Sequence, residues 1–466
     1  MRRRRVWPAW ARPSDIADLL RLSGPIAVSR AAMMLMGLTD VIVLGQNAPE
    51  EVPFVLNSWL PIGVSLGLTM GLLMGVSVLT AELAGVGQGK DTGRIFRRGI
   101  RFSLWFGAIL TVVIFLTAGP MFRLFGFDDH VAAGTASVTR ILALGLIGHM
   151  LTHVAGSYLE ALRRPLIVTA IMYAGVLVNL VIDLAVVAGW WGMPKLGADG
   201  VAIATTGTRW FLVILFLVAV WKMTPAFKPS REAPAEEGKR MFSVGYGTAV
   251  SNVAEWGGFN STFIIATLIS TAVNTIYGMA IHVIGFCFMA FLGLGTATSV
   301  RVAEAYGRKN ADQVREASRL GIVATVLTGL LLGLLVWTFR EQLASILIRS
   351  DAEVAGVAIH AALVPIIGFT SLVIVFDGLQ NVASMAMRAQ NVIWPPTFIH
   401  LGSYFLLMLP LTWYFGMEQG GGAMGMMQAV LIASVIAGLA QTALLESKAA
   451  RQLKPTRRSK KVPDGT

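Results

Sequence analysis

Stretches of about 20 apolar residues, the length an α-helix needs to cross a bilayer, recur along this chain from end to end. The short segments between them hold nearly all of the charge and much of the glycine and proline. Hydrocarbon offers backbone N–H and C=O groups no partner, so each stretch must satisfy its own hydrogen bonds as a helix. Twelve spans can be marked: 16–44, 54–83, 100–121, 136–159, 166–191 and 201–221, then 241–269, 276–302, 321–339, 355–386, 393–414 and 423–445. The chain is therefore read as an all-α integral membrane protein with about twelve transmembrane helices. With 55% hydrophobic and 14% charged residues, it holds no segment suited to a soluble catalytic domain.

The one long linker-like stretch, 222–240, carries three prolines and mixed charge and divides the chain in half. This sets the expected organisation: a six-helix lobe over 1–221, a cytoplasmic linker over 222–240, a second six-helix lobe over 241–446, and a basic cytoplasmic tail over 447–466. The halves also echo each other. Asp91 and Arg94 after span two answer Asp312 and Arg315 after span eight, and Trp191-Gly-Met before span six answers Phe415-Gly-Met before span twelve. Parallel repeats of this kind place a transport path between two bundles.

Lys and Arg stay on the cytoplasmic face, which fixes the orientation. Of the 38 basic residues, 31 lie in or beside the connections assigned to the cytoplasm; Arg123, Lys195, Arg340 and Arg349 lie outside, and Arg30, Arg140 and Arg209 lie within spans. Both termini are thus expected in the cytoplasm, with the protein multi-pass in the cell inner membrane. The basic start, Arg2 to Arg5, is read as retained, because a full spanning segment follows it and no small-residue cleavage site does. The formal net charge of +12 needs no nucleic acid, since the excess sits beside spans where anionic lipid headgroups are the natural partner. Cys287 is the sole cysteine, so no disulfide can form within the chain, and its apolar setting points to packing.

A carboxylate inside a span costs about 2.5 to 3.5 kcal/mol on insertion scales, so it usually faces a cavity and serves a function. Asp40, Asp183, Glu255 and Asp377 are such residues. Asn179 with Asp183, Asn252 with Glu255, and Asp377 with Gln380 and Asn381 share helix faces by their spacing. The structural alternative is that these acids hold helices together, paired with Arg30 or Arg209. As functional groups they have two uses. Loss of water penalises the charged form, so a buried carboxylate can load a proton; or a cluster of oxygens can replace the hydration shell of a hard cation such as Na⁺. His149 and His153 have helix-face spacing but no metalloprotease Glu beside them, so packing or cavity lining is the simpler reading. Trp256, Phe259, Phe263, Phe286 and Phe288 offer faces for a flat cation, or pack on lipid and neighbouring helices. Gly420-Gly-Gly and the pair Gly87 and Gly89 are turns, since no strand or Gly-Lys-Ser/Thr accompanies them.

Taken in order, Gly24-Pro25, Asp40-Val-Ile-Val-Leu-Gly45, Ala81-Glu-Leu-Ala-Gly-Val-Gly-Gln-Gly89, Asn179, Gly200-Val-Ala-Ile-Ala-Thr205, Glu255, Arg301-Val-Ala-Glu-Ala-Tyr-Gly307 and Asp377 with Ala386-Met-Arg388 resemble the multidrug and toxic compound extrusion (MATE) family. The resemblance covers nearly the whole chain and is strongest to the NorM-like branch. It implies two six-helix lobes around a central cavity, working as a monomer that exports organic cations in exchange for H⁺ or Na⁺, with no cofactor. On this basis Asp40, Asn179, Asp183 and Thr205 are the expected coupling set of the first lobe, and Glu255 and Asp377 that of the second. Either set is a candidate Na⁺ site. Trp256, Phe259, Phe286, Phe288, Gln380 and Asn381 are expected to contact substrate. Many NorM-like sequences carry Asn where this chain has Asp183, so it combines features of two branches. A flippase of lipid-linked precursors is the runner-up, but would favour a basic cavity. An integral-membrane enzyme would need acids or histidines clustered at one membrane face, which the sequence does not offer, and a channel would conduct without saturable exchange.

Overall fold

The computed structural model describes residues 13–85, 88–229, 236–307, 310–390, 392 and 394–448; a few side chains within its helices, Arg30 and Glu255 among them, lie outside the description. The basic start before residue 13 and most of the tail are likewise outside it.

The first half comprises α1 (Pro13–Asn47), α2 (Val52–Leu72) continued by α3 (Met74–Gly85), α4 (Thr92–Leu124), α5 (Asp129–Leu144) continued by α6 (Leu146–Ala161), α7 (Pro165–Val186) and α8 (Gly197–Met223). The second comprises α9 (Glu237–Ile269), α10 (Thr271–Gly307), α11 (Ala311–Thr338), the short α12 (Arg340–Leu347), α13 (Ile359–Arg388), α14 (Trp394–Leu401) with α15 (Leu409–Trp413), and α16 (Gly422–Lys448). Among the described residues the helices form two sets of six long segments, counting α2 with α3, α5 with α6 and α14 with α15 as one each, and nine of these, or ten with the bent α5–α6 pair, are by length and composition able to cross a bilayer.

Some expected spans are reshaped, each for a local reason. Span four is broken: α5 and α6 meet at Gly145 with a bend of 42°. Span five stops at Val186 rather than 191, because Gly189 and Trp191 turn into the left-handed region at φ 77° and 57°. Span ten begins at Ile359 rather than 355. Residues before it form a two-residue hairpin, β1 (Glu353–Val354) against β2 (Val357–Ala358), whose turn residues Ala355 and Gly356 both have positive φ, the backbone a tight hairpin requires. Span eleven contains two π-helical stretches, Gly402–Met408 and Tyr414–Glu418, flanking Pro410.

Within the first half α1 packs on α7, and α4 on α5 and α6; within the second α13 is gripped by α10, α11 and α16. The halves meet where α1 lies against α10 and α2 with α3 lies against α9. Glycines make the second contact close: a side chain at Gly71 or Gly75 would strike the α9 backbone at Ala249 or Met241, and one at Gly245 would strike Leu72. At the other end of this seam Asn57 Oδ1 accepts from Thr267 Oγ1 at 2.9 Å and Asn274 Nδ2 at 3.0 Å, which joins α2, α9 and α10. The linker is tied down as well. Arg97 Nη1 donates to the carbonyls of Ala226 and Lys228 at 2.6 and 2.9 Å, while Arg94 and Arg98 converge on Glu237 at the head of α9 at 2.7 and 3.1 Å.

Candidate cation site

In the first half three helices bring polar side chains into an apolar interior. Asn179 and Asp183, one turn apart on α7, are fully buried, and Asp40 on α1 is 4% exposed. From α8, Thr205 Oγ1 donates to Asp40 Oδ2 at 2.8 Å. Thr39 Oγ1 donates to the Met36 carbonyl at 2.8 Å and reaches Asn179 Oδ1 at 3.4 Å, which fastens α1 to α7. Asp183 and Asn179 both lie within interaction range of the Asp40 carboxyl. Even so, Asp40 Oδ1, both oxygens of Asp183 and Asn179 Nδ2 lack a hydrogen-bond partner. Buried polar atoms left unpaired are costly, and the free carboxyl oxygens call for a proton or a cation. The four residues expected in the first lobe are thus brought together, and their free oxygens suit either a proton or a hard cation such as Na⁺.

The second half holds a different arrangement. Asp377 on α13 is 6% exposed; its Oδ1 accepts from Gln380 Nε2 at 3.2 Å, and Gln380 Oε1 contacts His400 Nε2 on α14 at 2.6 Å. The His400 ring lies 5.8 Å from that of Tyr404, which in turn lies 4.8 Å from Phe259 on α9. His400 and Tyr404 were not legible as site residues, and their signal was a histidine and a tyrosine one turn apart in an otherwise apolar span. Glu255 belongs to α9, but its side chain lies outside the described residues.

The expected substrate contacts divide. Trp256 lies beside Gly67 at the seam between α2 and α9, and Phe259 and Phe288 pack against the main core. Phe286 is 42% exposed, two residues from Phe288 and so on the opposite side of α10, which means the two rings do not line one wall. Gln380 is engaged with Asp377 and His400, whereas Asn381 Oδ1 lacks a partner. The His149 and His153 rings stack with centroids 6.5 Å apart. Among the described residues no three His, Cys, Asp or Glu side chains converge as a metal cluster.

The MatE family model matches the chain twice, over residues 25–185 and 248–414, once in each half. The chain is 33% identical over 433 residues to a probable multidrug resistance protein NorM of Caulobacter vibrioides, covering 91% of this chain and 90% of that one. It is 24% identical to multidrug resistance protein PmpM of Pseudomonas aeruginosa over 90% of this chain and 88% of the other. Its fold matches an inward-facing multidrug resistance MATE family transporter of the MOP superfamily, with a TM-score of 0.80 and 18% identity, over 93% of this chain and 100% of that one. The eukaryotic transporter AtDTX14 shares the fold at a TM-score of 0.72 and 17% identity, over 94% and 98% of the two chains. A twelve-span chain of two matching halves, each recognised by the same family model, belongs to the MatE family of membrane transporters.

Proposed function

We propose that this transporter is a secondary active multidrug exporter that exchanges organic cations for H⁺ or Na⁺ by alternating access between its two halves. The observation that carries the reading is the set of unpartnered, buried oxygens on Asp40 and Asp183. A buried acidic pair that gives up its proton attracts both a small coupling cation and an organic cation, and strongly, because the surroundings are apolar. Two cations drawn to one charge exclude each other, and that exclusion is what an antiporter needs. Asp40, Asn179, Asp183 and Thr205 would hold Na⁺ or share a proton, with Glu255 and Asp377 as the second candidate coupling set. Trp256, Phe259 and Asn381 are the substrate contacts best supported by their placement.

The lobes are assigned to 1–221 and 241–446, joined by a cytoplasmic linker over 222–240 and followed by a cytoplasmic tail over 447–466. The protein acts as a monomer in the inner membrane with both termini inside. Anionic headgroups are its expected neighbours on that side, where a cavity of about 390 Å³ is lined by Lys90 and Arg164. A flippase for anionic lipid-linked cargo is disfavoured, since the buried charges described within the spans are Asp40, Asp183, Asp377 and Arg209.

Equilibrium binding of a fluorescent organic cation to purified protein tests the proposal, with Na⁺ and pH varied separately. The reading expects one of the two ions to weaken binding competitively. Affinity that stays constant under all conditions would refute it.

A further inference from the structure

The bend in span four exposes the carbonyl end of α5 in the middle of the first half, and each of its last four carbonyls is met by a side chain. Ile141 accepts from Thr206 Oγ1 at 2.9 Å, Leu142 from Arg209 Nη1 at 3.4 Å, Ala143 from Thr111 Oγ1 at 2.9 Å and Leu144 from Trp210 Nε1 at 3.3 Å. The carbonyl end of a helix carries partial negative charge, and broken helices in transporters use such ends to hold cations. Here the cation is part of the chain. Arg209 is 8% exposed, and Gly145 makes room for it: a Cβ there would lie 3.0 Å from Arg209 Cδ and 3.2 Å from Nη1. Arg209 also sits one turn after Thr205, on the same face of α8 as the hydroxyl that holds Asp40.

We propose that Arg209 is a tethered cation that offsets the negative charge of the Asp40–Asp183 pair, and thereby makes the first-half site select against Na⁺. With the guanidinium placed at the bend, the negative charge the pair presents to an entering ion is partly compensated. A metal ion entering the site is attracted by less charge and repelled by a neighbour it cannot displace, because that neighbour is held by the α5 carbonyl end. Ionisable side chains on the neighbouring helices include His149 and His153 on α6 and His282 on α10, whose Nδ1 is engaged with the Gly278 carbonyl at 2.9 Å. This inference rests on the reading of Asp40 and Asp183 as the coupling pair.

The test is direct ²²Na⁺ binding together with thermal stability of the purified full-length protein, with NaCl exchanged for choline chloride. Unaltered protein and Arg209→Lys should show weak Na⁺ binding and equal melting temperatures in the two salts. Arg209→Gln keeps a donor for the Leu142 carbonyl but removes the charge. It should bind Na⁺ about tenfold tighter or more and be stabilised by Na⁺. Adding Asp40→Asn to Arg209→Gln should abolish both gains. Arg209→Gln that binds Na⁺ no better than the unaltered protein would overturn the proposal. So would tight, Asp40-dependent Na⁺ binding by the unaltered protein, a result that needs no Arg209 variant to fold. Failure of the coupling reading itself has a separate signature, full export by Asp40→Asn alone.

Discussion

Thr205 Oγ1 donates to Asp40 Oδ2 across 2.8 Å, tying α8 to α1 at a carboxylate that is 4% exposed. The bond occupies one carboxyl oxygen and leaves the other, Oδ1, without a hydrogen-bond partner. Thr205→Val should keep the shape of the side chain and lose the donor, while Thr205→Ser should keep both the donor and export. A hydrogen bond to a charged group contributes about 1.5 to 3 kcal/mol, so the valine variant should weaken coupling-ion affinity by roughly tenfold or more. Ion titration of substrate binding measures this, and equal affinities for valine and serine variants would contradict the assigned role.

The cytoplasmic clasp yields a stability prediction with an internal control. Glu237 is 7% exposed and Arg94 12%, and Arg94 engages it through both Nε and Nη2 at 2.9 and 2.7 Å. Glu237→Gln leaves two guanidinium groups facing a neutral amide and should cost about 3 kcal/mol, seen as a lower melting temperature in detergent. Glu446, paired with Arg319 at 3.0 Å, is 41% exposed, so Glu446→Gln should stay within about 0.5 kcal/mol of the unaltered protein. Similar losses in the two variants would mean that the clasp does not secure α9 to α4.

Orientation is checked by single cysteines in a Cys287→Ser background. Lys228, exposed in the linker, should be reached by a membrane-impermeant thiol reagent only after the cells are opened. Lys195, exposed between α7 and α8, should be labelled in intact cells. The reverse pattern would overturn the topology.

The bilayer made the span count legible, because it forces the backbone of a crossing to satisfy its hydrogen bonds within apolar helical segments. It also made Asp40, Asn179 and Asp183 legible, since polar residues stand out in such helices and a spacing of four places two of them on one face. What remained hidden depends on tertiary contact. Gly145 reads as any packing glycine until the freed α5 carbonyls and the Arg209 side chain are seen to share its space. Arg209 itself was recognisable only as a general partner for buried acids. His400 meets Gln380 from a span twenty residues further along the chain, a pairing no periodicity reveals. Likewise the residues that hold the halves together, Gly71, Gly75 and Gly245, carry no pattern that separates them from other glycines in the spans. Phe286 and Phe288 show the opposite failure: two aromatics close in sequence suggested one surface, and helix geometry sends them to different ones.

The central claim is that buried acids couple ion entry to export, and dye efflux from proteoliposomes tests it most directly. Unaltered protein and Asp40→Asn, matched for reconstituted amount, are compared under separately imposed H⁺ and Na⁺ gradients and under none. The account predicts that one gradient drives efflux by the unaltered protein, that the same gradient fails to drive Asp40→Asn, and that both proteins reconstitute equally well. Efflux by Asp40→Asn that follows the gradient as the unaltered protein does would contradict it.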